Sequence, residues 1–127
     1  MAEKKAFKTD KAAIPGGPYS QAIIYNGIIY LSGQGPIDPQ TNQVVHGTIE
    51  QETEFSMENI RIILEEAGSS LSKVLQITAY LLTMREYGRF NEVYRRYFPK
   101  EPPARTCIQA ARLPFDIRIE ISVIAYI

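Results

Sequence analysis

The C-terminal segment alternates apolar and polar residues with a period of two, a pattern that a half-buried β-strand satisfies and a helix does not. From residue 115 onward, the apolar set comprises Phe115, Ile117, Ile119, Ile121, Val123 and Ala125, and the polar set comprises Asp116, Arg118, Glu120 and Ser122. A sheet with one apolar face has to be covered on that face by other elements. The rest of the chain should therefore supply partner strands and helices.

A β-hairpin is predicted over residues 19–32. Its strands run from Gln21 to Tyr25 and from Ile28 to Ser32. Between them lies Asn26-Gly27, the dipeptide that best tolerates the positive φ angles of a two-residue type I′ turn.

Two capping-box patterns predict where two helices begin. Thr48 and Gln51 form the first, and apolar residues then recur at helical spacing until Gly68, which is a good helix stop. Thr83 and Glu86 form the second pattern, which opens a helix with an aromatic side. The members of that side are Tyr87, Phe90, Tyr94, Tyr97 and Phe98, and Pro99 ends the helix.

Two more strands are predicted, at residues 74–82 and 104–110. The apolar face of the first consists of Leu75, Ile77, Ala79 and Leu81, and one face of the second consists of Arg105, Cys107 and Gln109. The element order then predicts an α+β fold, a mixed β-sheet with two helices packed on one face. The uncovered face is expected to carry Tyr80, Cys107, Ile124 and Tyr126. A partly apolar open face favours self-association, so we expect a homo-oligomer.

Composition narrows the function classes. The 14 basic residues balance the 14 acidic ones, which argues against a dedicated nucleic-acid binder. A single Cys cannot form an intrachain disulfide and fits a reducing cytoplasm, and one Cys with one His is too few for an ordinary zinc site. No signal peptide or membrane-spanning run is recognised, and the 127 residues suit one domain covering 1–127.

Arg105 and Glu120 are the most suggestive candidates for chemistry. Both side chains are expected to point away from the apolar face of the sheet. There a guanidinium could bind a carboxylate through two hydrogen bonds, and a carboxylate could orient or deprotonate water. The alternative is an ordinary surface arginine and a solvent-facing glutamate, because surface ion pairs between such residues are common and weak.

The sole Cys and the sole His carry weaker signals. Cys107 shares a face with Arg105, but a nucleophilic thiol needs a nearby base, so a buried structural role is favoured. His46 is expected in a surface loop, with no partner at the spacing of a metal site or a catalytic triad.

Small and polar residues near the hairpin add further candidates. Ser32 and Gly33 end a strand, and their backbone amides could approach a ligand, although a simple turn explains them as well. Tyr19 is either a binding phenol or a core residue. Asn91 is either a ligand contact or an exposed helix residue.

In combination, four segments are more specific than any of these parts. They are Gly17-Pro18-Tyr19-Ser20-Gln21-Ala22, Leu31-Ser32-Gly33-Gln34, Pro103-Ala104-Arg105-Thr106-Cys107 and Ile119-Glu120-Ile121. In order and spacing, from about Tyr19 to Ile127, the chain resembles the reactive intermediate deaminase family (RidA, also called YjgF).

That resemblance implies a chorismate-mutase-like fold assembled as a homotrimer, with sites in the clefts between subunits. It implies hydrolysis of 2-imino acids such as 2-iminobutanoate and 2-iminopropanoate to 2-keto acids and ammonia, with no metal or organic cofactor. Arg105 would hold the substrate carboxylate and Glu120 would position or activate water. The pocket would be lined by Tyr19, Ser32, Gly33, Asn91 and Cys107.

Two positions depart from the family pattern. Thr106 stands where Ser is more usual and is expected to point away from Arg105. Gly35 replaces a common apolar residue after Gln34, which leaves the substrate preference open.

Two other functions also remain open. One is a ribonuclease or translation inhibitor, an activity attributed to some family members and supported here only by eight basic against four acidic residues in 85–118. The other is a non-catalytic trimer that binds small carboxylates or acts like a chaperone.

Overall fold

The alternating C-terminal segment forms an inner strand of a six-stranded sheet. The computed structural model describes residues 3–127. The strands and helices in chain order are β1 Lys5–Phe7, β2 Ala22–Tyr25, β3 Ile28–Gln34, α1 Ile49–Glu66, β4 Val74–Leu81, α2 Tyr87–Tyr97, β5 Ala104–Gln109 and β6 Ile119–Tyr126. The order of the strands in the sheet is β1-β2-β3-β6-β4-β5. Neighbouring strands are antiparallel except β4 and β5, which are parallel. The predicted order of elements is confirmed, with β1 as an addition that sequence analysis missed.

Local chemistry places the hairpin and the first helix where the sequence predicts them. Asn26 and Gly27 both have positive φ angles, 49° and 75°, as a type I′ turn requires. At the start of α1 the amide of Gln51 donates to the Thr48 hydroxyl at 3.2 Å, and the amide of Thr48 donates to the Gln51 side chain at 3.0 Å. Gly68, with φ of 88°, then terminates the helix.

The second capping box does not form. The Thr83 hydroxyl accepts a hydrogen bond from the amide of Arg85 at the start of a short 3-10 turn, and α2 begins only at Tyr87. The Glu86 carboxylate does not reach back, because it is engaged by the Arg118 guanidinium at 3.1 Å. Arg118, which lies just before β6 and far from Glu86 in the chain, therefore engages the carboxylate that the capping box would need.

The strand that contains Glu120 begins later than the alternation predicts. Residues 114–116 form a tight turn in which Phe115 and Asp116 have φ angles of 59° and 56°, and Phe115 is 66% exposed. Leu75 is likewise exposed, because the pairing of β4 with β6 shifts register between Val74 and Gln76. Ile77, Ala79 and Leu81 are buried as predicted.

Both helices pack on one face of the sheet, which confirms the predicted α+β class. The core between them contains, among others, Ile29, Leu31, Met57, Ile60, Ile63, Leu64, Ile77, Leu81, Phe90, Ile119 and Ile121. The open face carries exposed large side chains, including Tyr30, Ile108 and Tyr126. Cys107 is not on that face: it pairs with buried Ala79 and packs against the core, so its predicted placement was wrong. No helix within residues 3–127 is long and apolar enough to cross a membrane.

Candidate functional site

Arg105 is held on the helix side of the sheet by three aromatic rings. It lies on β5 beside Ile77 of β4, whose side chain is buried beneath the helices. Its guanidinium carbon lies 4.7 Å from the ring centre of Tyr94, 5.3 Å from that of Phe90 and 5.5 Å from that of Tyr87. One guanidinium nitrogen also donates to the Tyr87 hydroxyl at 2.9 Å. We call these three rings the aromatic cage.

No carboxylate among residues 3–127 lies within ion-pair distance of Arg105. Ring faces attract a cation but do not neutralise it, so the guanidinium keeps its charge for an anionic ligand. Burial raises the pKa of Tyr94 to about 12, even though the neighbouring arginine opposes the shift. The cage phenol therefore stays protonated at neutral pH and adds no negative charge.

A cavity of about 260 Å³ opens beside Arg105. It is lined by Asn91, Tyr94, Arg95, Phe98, Pro102, Pro103 and Arg105. Asn91 lies one helical turn after Tyr87, which brings it to the same side of α2 as the aromatic cage. The cavity thus brings Asn91 together with Arg105.

Glu120 lies on the opposite, open face of the sheet. On β6, Glu120 pairs with Tyr80 of β4 and shares its face of the sheet. Tyr80 lies an odd number of residues from Ile77 on β4, so Tyr80 and Ile77 point to opposite faces. Its carboxyl group rests directly on the Cα of Gly33, where an added Cβ would overlap it. Burial raises the pKa of the Glu120 carboxyl above its ordinary value of 4.5.

A β-bulge brings Gly33 against that carboxyl group. The pairing of β3 with β6 shifts register between Leu31 and Gln34, and the Ser32 hydroxyl turns away to donate to the Ser20 carbonyl at 2.6 Å. Bulges re-aim the backbone beside functional sites. The absence of a side chain at Gly33 is therefore what makes room for Glu120.

The second cavity, of about 390 Å³, begins at Glu120. It is lined by Tyr19, Ser32, Gly33, Gly35, Pro36, Ile37, Val44, Pro114, Phe115, Ile117 and Glu120. Four of the residues singled out from the sequence, Tyr19, Ser32, Gly33 and Glu120, thus share one concave surface. Tyr19 is half exposed at its rim, so it is not a core residue.

The candidate residues therefore fall into two half-sites on opposite faces of one chain. The Arg105 half-site contains Asn91 and Arg105, with Cys107 two residues along the same strand face; the Glu120 half-site contains Tyr19, Ser32, Gly33 and Glu120. The expectation that Arg105 and Glu120 leave the same side of the sheet was wrong. The parallel pairing of β5 with β4 decides the face of Arg105, and no local pattern shows that register.

The surroundings of Cys107 and His46 are not those of a nucleophile and its base. Burial raises the pKa of the Cys107 thiol, with Arg105 only partly opposing it, so the thiolate is disfavoured. His46 lies exposed in its loop, as predicted, and its Nε2 is 2.7 Å from the carbonyl oxygen of Phe115. Within residues 3–127 no group of three or more His, Cys, Asp or Glu side chains is placed to hold a metal ion.

Sequence analysis missed two sets of site residues. The sequence pattern predicts only that the three rings of the aromatic cage share the apolar side of α2, although their spacing of three and four residues does place the rings together. The alternation predicts that Phe115 and Ile117 face the core from a strand. Ile117 is buried as predicted and Phe115 is exposed, but both precede β6 and line the Glu120 cavity. The Pro114 that precedes them was the available signal for a turn.

Comparison with known proteins agrees with this architecture. Residues 9–127 match the family described as Endoribonuclease L-PSP. A RutC family protein of Pyrococcus abyssi is 46% identical over 97% of each chain, and a mouse protein named 2-iminobutanoate/2-iminopropanoate deaminase is 39% identical over 96% of this chain and 90% of its own. The crystal structure of E. coli TdcF with bound serine superposes with a TM-score of 0.91 at 32% identity, covering 97% of both chains. This chain belongs to the Endoribonuclease L-PSP family, which includes the RidA/YjgF proteins that its motifs resemble.

Proposed function

We propose that the protein hydrolyses reactive 2-imino acids, such as 2-iminobutanoate and 2-iminopropanoate, to 2-keto acids and ammonia, without a metal or organic cofactor. The observation that carries the proposal is the pair of charges left without ion-pair partners among the described residues: Arg105 beside one cavity and Glu120 beside another. The name of the mouse relative is consistent with it. A cytoplasmic location belongs to the same proposal, as expected for a chain with a single cysteine.

Arg105 would bind the substrate carboxylate. A guanidinium donates two parallel hydrogen bonds to a carboxylate, and the aromatic cage leaves its outer edge without a competing acid. Fixing the carboxylate orients the imine carbon relative to the attacking water. The bound serine in the related TdcF structure also carries a carboxylate, which supports a ligand of this class.

Glu120 would act on water. Its carboxylate takes a proton from water as the water oxygen bonds to the imine carbon, and the C=N electron pair moves to nitrogen. That proton passes to nitrogen and gives a neutral tetrahedral adduct with one hydroxyl and one amino group. The same carboxylate then moves the hydroxyl proton to nitrogen, the C–N bond breaks as the C=O bond forms, and ammonia and the 2-keto acid are released. The raised pKa makes Glu120 a stronger base than an exposed carboxylate.

We propose further that the site is completed in a homotrimer, with the Arg105 half-site of one copy facing the Glu120 half-site of the next. The two half-sites lie on opposite faces of one chain, and each opens to solvent. The open face also exposes Tyr30, Ile108 and Tyr126, which a neighbouring copy would cover. A repeated head-to-tail contact of this kind closes into a ring.

The direct test is ammonia release from 2-iminobutanoate generated in situ by an amino-acid oxidase. The protein should accelerate release beyond the spontaneous rate, and Arg105→Ala should reduce the acceleration by about 10²-fold or more. Arg61→Ala, which removes an arginine paired with Glu58 and Glu65 on α1, is the matched control and should keep the activity. Full activity in Arg105→Ala would refute the role of this residue.

A ribonuclease has less support in this chain. Of the eight basic residues in 85–118, five form ion pairs with carboxylates: Arg89, Arg95, Arg96, Arg112 and Arg118. Paired charges release few counterions on binding phosphates. A non-catalytic binding protein would instead bind 2-keto acids without accelerating imine hydrolysis, which the ammonia assay distinguishes.

A further inference from the structure

The Glu120 cavity has one polar end and one apolar end. Glu120, Ser32 and Tyr19 supply the polar groups, and the remaining wall consists of glycine, proline and large apolar side chains. No basic side chain is among the described residues that line it. An anionic substrate side chain would therefore lose its hydration without gaining a counter-charge, whereas an apolar one would gain from burial.

Gly35 keeps the apolar end open. A Cβ built on Gly35 would lie 2.8 Å from Cδ1 of Ile117, which forms the facing wall. A side chain at this position would therefore have to displace Ile117 or occupy the cavity. Without a side chain at Gly35, Ile117 keeps its place in the cavity wall.

The walls of the apolar end are fixed by the fold. Ile37 and Val44 form an isolated β-bridge, and the amide of Val45 donates to the carbonyl of Pro36 at 2.8 Å. The buried Asn59 side chain of α1 donates to the Ile37 carbonyl at 2.6 Å. On the other side, His46 Nε2 lies 2.7 Å from the Phe115 carbonyl oxygen. A pocket held in this way needs little rearrangement to accept a ligand.

We propose that the protein prefers 2-imino acids with bulky apolar side chains, those derived from branched aliphatic and aromatic amino acids, and that Gly35 determines this preference. Because the preference concerns the same site, it rests on the proposed function. The methyl or ethyl group of 2-iminopropanoate or 2-iminobutanoate would leave most of the 390 Å³ cavity unfilled. An isobutyl or benzyl group would reach Ile37, Val44, Phe115 and Ile117.

The preference is measured as a ratio of kcat/KM values, for the imines of leucine and phenylalanine against the imine of alanine. The ratio should exceed about tenfold in the wild-type protein, since each added methylene in an apolar pocket contributes about tenfold or more. Gly35→Leu should lower the ratio by at least about tenfold. Gly88→Ala, at a glycine whose added Cβ meets nothing within 4 Å, should leave it unchanged.

Because Gly35→Leu presses on Ile117, two further variants guard against a folding defect. Ile117→Val removes the Cδ1 atom that the new side chain meets, so Gly35→Ala combined with Ile117→Val should fold normally and shift the ratio by a smaller amount. Phe115→Ala removes an exposed wall residue and should lower the ratio for the phenylalanine imine. A wild-type ratio near one, or no change in all three variants, would overturn the preference.

A binding measurement separates this inference from the proposed reaction. The dissociation constants of 4-methyl-2-oxopentanoate and pyruvate, which share the carboxylate and differ in the side chain, are compared by calorimetry. Tighter binding of the larger keto acid without any imine hydrolysis would retain the cavity's preference and refute the reaction. Hydrolysis with equal binding of the two keto acids would refute the preference and retain the reaction.

Discussion

Arg105 and Glu120 both lack an ion-pair partner among the described residues, yet their surroundings hold them in different ways. Arg105 has contacts on several sides, from the three rings of the aromatic cage and the Tyr87 hydroxyl. The position of Glu120 depends on the lack of a side chain at Gly33, since its carboxyl occupies the volume that any side chain there would fill. Arg105 should therefore stay in place when one of its contacts is lost, whereas a single substitution at Gly33 should displace Glu120.

Arg105 and Glu120 also differ in how their charges are stabilised once they are removed from water. A guanidinium against ring faces retains part of its charge stabilisation through cation–π attraction. The Glu120 carboxyl has no comparable compensation from any residue in 3–127, and burial raises its pKa. Ionised Glu120 thus costs the folded chain some stability, in return for a base with a raised pKa.

Replacing Glu120 tests this half-site with the largest expected effect. Glu120→Gln keeps the size of the side chain, removes the base and should lower kcat/KM for imine hydrolysis by about 10²–10⁴-fold. The wild-type rate should fall as the pH drops through the raised pKa of Glu120, so its acid limb should lie above pH 4.5, and this limb should disappear in the variant. An unchanged acid limb would show that another group titrates.

The sign of the accompanying stability change follows from the direction of that pKa shift. A carboxyl whose pKa is raised on folding contributes stability below its unfolded pKa, and this contribution is lost as the pH rises through the folded pKa. Glu120→Gln should therefore increase the free energy of unfolding relative to wild type at pH 7, and the gain should vanish at low pH. Urea unfolding at both pH values measures it.

Mixing two inactive variants tests whether the half-sites meet across copies. If Arg105 of one copy faces Glu120 of the next, Arg105→Ala and Glu120→Ala unfolded and refolded together should recover about a quarter of the wild-type activity, because a quarter of the interfaces then carry both native residues. Each variant refolded alone should remain inactive. No recovery in a mixture whose trimers contain both variants would place the two residues in separate sites.

Gly33→Ala isolates the dependence of Glu120 on an empty volume. The new methyl group overlaps the end of a flexible side chain, so the carboxyl should move while the fold persists. A displacement of this size should reduce kcat by about 10²-fold with little change in melting temperature. Gly88→Ala is the control, since its Cβ meets nothing within 4 Å. Equal kcat in Gly33→Ala and wild type would show that Glu120 does not need its present position.

The sequence predicts well those features that neighbouring residues determine. The Asn26-Gly27 turn and the Thr48–Gln51 capping box each need only residues within a few positions, and both form. The Thr83–Glu86 box satisfies the same local pattern, yet it fails because Arg118, distant in the chain, engages Glu86. Local rules cannot anticipate such competition.

In the candidate site, too, the sequence identifies residues but does not show where the fold places them. The motifs indicated Arg105 and Glu120, but their opposite faces depend on strand register, which alternation within a single strand does not reveal. The turn at Phe115 also interrupts a pattern that reads as a continuous strand. The walls of the Glu120 cavity come from three separated loops, so their union needed the structure.

The smallest expected effect concerns a single contact of the aromatic cage. Tyr87→Phe keeps the ring but removes the hydroxyl that accepts from Arg105 at 2.9 Å. Two other rings still contact the guanidinium, so it should stay in place with less restricted orientation. KM for the imino acid should rise by about two- to tenfold, as the loss of one hydrogen bond implies, with kcat nearly unchanged.

Tyr97→Phe is the matched control for this change. It also removes a phenol hydrogen bond from α2, the 3.1 Å contact with Glu58, but Tyr97 does not contact Arg105. The two variants should therefore lose similar stability, while only Tyr87→Phe raises KM. A large loss of kcat in Tyr87→Phe would mean that Arg105, like Glu120, depends on one neighbour, and the contrast between the half-sites would disappear. A modest rise in KM alone is what several redundant contacts around a single cation should produce.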